Sequence, residues 1–216
     1  IFLDTSGDSL ARHGYRKIPG LAPMLEGLAA ATIMATRWNF QDPFVNPMCG
    51  SGTLAIEAAL MATNRRPGLF RNHYAFMHLQ GYDEQVYWQE DALLEQQITT
   101  PSSLQIIASD NSAKAIENAR KNAIAAGVQS LISFEVCDFA ETTLPVGQTG
   151  VVMMNPAYGE RLGETAELEI TYARIGDFLK QRCGGYWGYL FTGNLELAKK
   201  IGLKAKRRIE FYNSTI

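Results

Sequence analysis

From residue 22 onward, short apolar runs alternate with longer stretches of helix formers. This alternation constrains the fold more than any other feature of the chain. A strand followed by a helix returns most readily to a parallel sheet with the helix packed on its face. Residues 22–36, 53–62, 113–126 and 168–182 read as helices, and 195–201 as a shorter one. Phe44-Val45 and residues 105–108, 131–136, 151–154 and 186–191 read as strands, with 208–212 as a last one. The expected class is α/β with a mostly parallel sheet. Residues 64–104 interrupt the alternation; their aromatic side chains (Tyr74, Phe76, Tyr82, Tyr87, Trp88) suggest a packed helical excursion adding core over the sheet.

Composition narrows the class of function. Apolar residues make up 46% of the 216, which is globular rather than disordered. No apolar stretch is long enough to span a bilayer. Cys49, Cys137 and Cys183 are too widely spaced for a zinc pair, so no metal is expected, and they suit a reducing, cytoplasmic setting. A net charge of −2 argues against a free-standing nucleic-acid binder held by phosphate contacts. The charge is uneven, however. Lys199, Lys200, Lys204, Lys206, Arg207 and Arg208 form a basic run, and Asp83, Glu84, Glu90, Asp91 and Glu95 an acidic one. Both read first as solvated faces.

In open parallel sheets, ligands sit beyond the carboxyl ends of the strands. Asn46, Asp110, Asp138 and Asn155 all fall at such ends. After the first strand, Asn46-Pro47-Met48-Cys49-Gly50-Ser51-Gly52-Thr53 leads into a helix. Glycines there let a ligand approach the backbone, and a helix N-terminus favours a negative group. Gly50 to Ala55 also fits the dinucleotide pattern G-x-G-x-x-A, but that pattern wants an acid about 20 residues further on. The first strand-end acid is Asp110, far beyond, which weakens a nicotinamide oxidoreductase reading. At the end of the fourth strand, Asn155-Pro156-Ala157-Tyr158 offers an amide oxygen, a prolyl carbonyl and an aromatic ring. Two acceptors can hold both hydrogens of an exocyclic amino group while the ring stacks on the base.

The first motif resembles the D-P-M-C-G-S-G-T segment of THUMP-associated RNA methyltransferases. Asn155-Pro156-Ala157-Tyr158-Gly159-Glu160-Arg161-Leu162 resembles their N-P-P-Y-G-E-R-L segment. Leu3 to Leu10 with Gly14-Tyr15-Arg16 looks like the linker ahead of their catalytic domain. Ala62 to Leu69 and Trp88-Gln89-Glu90 look like the insertion of the bacterial large-subunit ribosomal RNA guanine-N2 branch.

The resemblance implies a class I, Rossmann-like methyltransferase with a seven-stranded, mostly parallel sheet, helices on both faces and a helical insertion at about 64–104. Residues 1–21 would link to an upstream RNA-binding module, and 22–216 would form the catalytic domain. S-adenosylmethionine would be the cofactor and large-subunit ribosomal RNA the partner. Asn46, Met48, Cys49, Gly50, Gly52 and Thr53 would line the methionine end of the cofactor. Asp110 and Asn111 would meet its ribose, Asp138 and Phe139 its adenine. Asn155, Pro156 and Tyr158 would hold the target base, and Arg12, Tyr15, Arg16 and Arg161 would touch RNA. Two residues depart from the family pattern: Asn46 stands for an aspartate and Ala157 for a proline. Motif chemistry leaves guanine N2, adenine N6 and other planar amines open, along with a degenerate cofactor-binding RNA scaffold.

Overall fold

The computed structural model describes residues 2–18, 24–159 and 165–212. The elements run α1 (Glu26–Met34), β1 (Phe44–Pro47), α2 (Thr53–Ala62), α3 (Glu84–Gln96), β2 (Ile106–Asp110), α4 (Ala113–Ala125), β3 (Ile132–Val136), β4 (Gly150–Met154), α5 (Thr165–Gln181), β5 (Tyr186–Leu190) and α6 (Leu195–Lys200). The strands form one sheet in the order β3-β2-β1-β4-β5, and every pairing is parallel.

Strand periodicity explains the layers. Successive side chains of a strand point to opposite faces. Phe44, Ile106, Ala108, Val151 and Met153 pack into one cluster with the apolar residues of α1, α2 and α4. Their neighbours Val45, Ile107, Val152 and Met154 pack on the other face with Ile175 and Phe178 of α5. Strands covered on both sides read as continuous apolar runs, which is how they look in the sequence. α2 lies deepest, with every residue buried except Met61. Its alanines let it sit close to the sheet and to α4.

Two expectations need correction. The sheet has five strands among the described residues, against an expected seven. Residues 208–212, read as a last strand, are not one. Their side chains are largely exposed, Tyr212 at 87%, and an apolar-polar alternation without a ladder partner has nothing to fix it as a strand. The insertion also differs from its sequence reading. It holds two short 3₁₀ turns and α3, but no residue of α3 is buried. Its aromatics pack mainly on one another, with Tyr74 and Phe76 stacked at 5.1 Å and Phe76 and Tyr82 at 5.9 Å. The Arg66–Asp91 ion pair helps tie it down. The excursion carries its own small cluster and reaches the main core through Phe70 and Leu104.

The turn between β1 and α2 depends on Gly52. Its φ is +84°, and a Cβ built there would lie 2.9 Å from the Cβ of Ala119 on α4. Gly52→Ala is therefore expected to cost about 2 kcal/mol, a Tm fall of roughly 4–8 °C for a domain this size. Thermal unfolding checks this, and an unchanged Tm would contradict it.

Candidate active site

β1 pairs with β2 on one side and β4 on the other, so strand order turns at β1 and β4 and a crevice opens beyond their carboxyl ends. Val45 lies opposite Val152, and one residue further the Asn46 Nδ2 donates to the Met153 carbonyl at 2.8 Å. The glycine turn and the Asn155 motif therefore leave adjacent strands at the same end of the sheet.

Backbone and carboxylate contacts shape the turn. Met48 adopts a left-handed φ of +56°, strain that a non-glycine residue sustains only where its surroundings enforce it. The Cys49 N–H donates to the Ser109 carbonyl at 2.9 Å, locking the turn to β2. The Gly50 N–H donates to Asp110 Oδ2 at 3.0 Å, and the other oxygen of Asp110 accepts from the Ser112 N–H at 3.0 Å. One carboxylate thus fixes both the turn and the start of α4, and each oxygen keeps a second lone pair for a hydroxyl donor. A Cβ at Gly50 would meet nothing within 4 Å, so this backbone faces open space. Burial, with Asp110 adding its charge, pushes the Cys49 thiol far up from its ordinary pKa. Cys49 is a neutral packing group, not a thiolate nucleophile.

Next to the turn, Met48, Asp110, Asn111 and Phe139 line a small cavity. These are four of the ten residues expected at the cofactor, brought together from three strand ends. Asp138 caps the short 3₁₀ turn after β3, its Oδ1 accepting from the Ala140 N–H at 2.9 Å and from Arg174 Nη2 at 2.8 Å. Partial burial pushes its pKa up, but the amide and the guanidinium outweigh that and hold the carboxyl below its ordinary range. Arg174 also lies 4.9 Å over the Phe139 ring. Sequence reasoning missed Arg174. It lies mid-helix on α5, 36 residues from Asp138, and carries no local signal.

At the end of β4, the Asn155 Oδ1 is buried without a hydrogen-bond partner among the described residues, and Pro156 beside it is buried. Tyr158 is 37% exposed, and its ring passes 3.3 Å from where a Cβ on Gly193 would stand. The Asn46 Oδ1 is also buried and unpaired among the described residues.

The residues expected at RNA divide. Arg12 is exposed, and Arg161 lies outside the described residues. Tyr15 and Arg16 correct the expectation. Tyr15 is 1% exposed and its hydroxyl donates to Glu57 Oε1 at 2.8 Å, while the Arg16 side chain, 11% exposed, bonds inside the domain. The stretch read as a linker thus contributes a tyrosine to the core. His13, with Nδ1 2.8 Å from Glu57 Oε1, is structural.

Residues 13–216 match the RMKL-like methyltransferase domain. The chain belongs to that family. It is similar to SMU.472, in a crystal structure with SAH (S-adenosylhomocysteine); identity is 32%, the TM-score 0.89, and the match covers 98% of this chain and 55% of that one. It is also similar to a protein of Listeria monocytogenes str. 4b F2365 named as a predicted N6-adenine-specific DNA methylase, at 34% identity, TM-score 0.85, and 97% and 54% coverage. TrmN from Thermus thermophilus shares the fold at 19% identity and TM-score 0.55, over 89% of this chain and 45% of that one. The chain spans about half the length of the structures it matches.

The cofactor of this RMKL-like domain is S-adenosylmethionine. The residues present suit it: a cavity with a carboxylate and an aromatic ring, and bare backbone facing open space at Gly50. No described helix is long and apolar enough to cross a membrane. Asn46→Asp would set a carboxylate oxygen against the Met153 carbonyl in place of a donor. The expected loss is about 1–3 kcal/mol. Thermal unfolding reads it, and wild-type stability would mean that the amide does not tie β1 to β4.

Proposed function

We propose that this domain transfers a methyl group from S-adenosylmethionine to the exocyclic N2 of a guanine in large-subunit ribosomal RNA. The observation that supports this reading most is the Asn155 Oδ1 just past the end of β4, buried and unpartnered among the described residues. An amino group is the complementary donor.

When bound, S-adenosylmethionine supplies an electrophilic methyl group on a positively charged sulfur. The chain's own residues do the rest. The backbone from Met48 to Thr53 would receive the methionine end, Asp110 would accept from the ribose hydroxyls with Asn111 beside it, and Asp138 would accept from the adenine amine with Phe139 against the ring. Ionised carboxylates only accept, which matches hydroxyl and amine donors. Asn155 Oδ1 and the Pro156 carbonyl accept the two hydrogens of the target amine. That would draw its lone pair out of conjugation with the ring and stabilise positive charge as the new N–C bond forms and the methyl–sulfur bond breaks to leave a neutral thioether, after which the methylated nitrogen loses one proton to water. Tyr158 stacks on a base that has left its helix. No protein group is alkylated, so catalysis rests on positioning and electrostatics.

The likeness to the Listeria protein favours a second reading, adenine N6, since the same two acceptors serve either amine. Nucleoside mass spectrometry on cells lacking the full-length protein, then regaining it as wild type or Asn155→Ala, separates them. The expected result is N2-methylguanosine in ribosomal RNA that is lost, restored by wild type and not by the variant. At least a hundredfold loss of turnover is expected, roughly that of removing one group that stabilises transition-state charge. A change confined to N6-methyladenine would support the second reading, and no change in either would contradict both.

A further inference from the structure

Tyr15 and Arg16 belong to a segment that does more than fill the core. Residues 13–18 bond to α2 through Glu57 and Thr53 and to α4 through Asn122. Asn122 of α4, 1% exposed, carries four hydrogen bonds on one side chain. Its Oδ1 accepts from the Lys17 and Ile18 N–H groups at 3.1 Å each, and its Nδ2 donates to the Ile18 carbonyl at 2.9 Å and to the Ser51 carbonyl at 3.1 Å. Arg16 makes the parallel link. Its Nη2 donates to Thr53 Oγ1 at 3.1 Å and to the Met24 carbonyl, while its Nε lies 3.6 Å from Glu26 Oε1.

The Ser51 contact has a geometric consequence. A trans peptide is planar, with its C=O and N–H pointing in opposite directions. Holding the Ser51 carbonyl toward Asn122 therefore turns the Gly52 N–H the other way, where it donates to the Cys49 carbonyl at 2.9 Å. Gly52 itself sits at φ +84°, a conformation open to glycine, so the flanking hydrogen bonds select it among the several this residue can adopt.

We infer that Asn122 and Arg16 are positioning residues through which residues 13–18 set the shape of the cofactor turn, and with it the affinity for S-adenosylmethionine. The inference rests on the reading that this turn receives the cofactor. An internal control lies in the same segment. Glu57, 2% exposed, takes His13 Nδ1 and the Tyr15 hydroxyl at 2.8 Å each and has no bond to the turn.

The test is calorimetric titration of the full-length protein with S-adenosylhomocysteine, alongside the Tm of each variant. Asn122→Ala and Arg16→Lys are expected to raise the Kd about fivefold to tenfold, the loss of one or two ordinary hydrogen bonds. Glu57→Gln is expected to lower the Tm and leave the Kd unchanged. A folded Asn122→Ala with wild-type Kd would overturn the inference, as would a Glu57→Gln shift as large as the others. If Asn122→Ala does not fold, Arg16→Lys decides by the same criterion. Wild-type protein that fails to bind would overturn the cofactor reading itself, whereas wild-type binding with unshifted variants overturns this inference alone.

Discussion

Parallel pairing of β1 with both β2 and β4 is the constraint from which the site follows. Parallel strands all finish on one side of a sheet, so whatever follows each strand collects there. β1 leads into the glycine turn, β2 ends in Asp110, β3 runs out to Asp138, and β4 ends at Asn155. The Asn46 amide, donating across to Met153, fixes the register at the point where strand order turns. A slip of one residue would reverse every side chain of β1 between the two helical layers, so core packing and site geometry are set together.

The site is built mostly from backbone and from acceptors. Asp110 spends one lone pair of each oxygen on shaping the protein, and Asp138 is held ionised by Arg174 and an amide. Beneath them, a polar layer of Asn122, Arg16, Glu57 and His13 links the opening segment to the start of α2. Polar groups buried this deeply stabilise little overall, but they are costly to mispair, and that favours one arrangement of the turn over its neighbours.

Much of this was legible in the sequence. α2 begins and ends where its composition indicates, because the glycines before it and its run of alanine, leucine and isoleucine agree with the buried place it takes. The strands β2 to β5 fall within a residue or two of their apolar runs. Met48, Asp110, Asn111 and Phe139 meet as expected because strand-end position is itself a sequence property in a parallel sheet. The misses share a cause. Tyr15 and Arg16 look like surface residues until Glu57, Thr53 and Glu26 arrive from distant positions to satisfy them. Arg174 reaches Asp138 through tertiary packing alone, and residues 208–212 have strand-like composition without a partner strand.

A crystal structure of the domain with S-adenosylhomocysteine would test the shared crevice most directly. The account predicts the adenine beside Phe139, the ribose at Asp110, and the sulfur turned toward Asn155. A ligand seated away from the carboxyl ends of β1 and β2, or with its sulfur turned from Asn155, would contradict it.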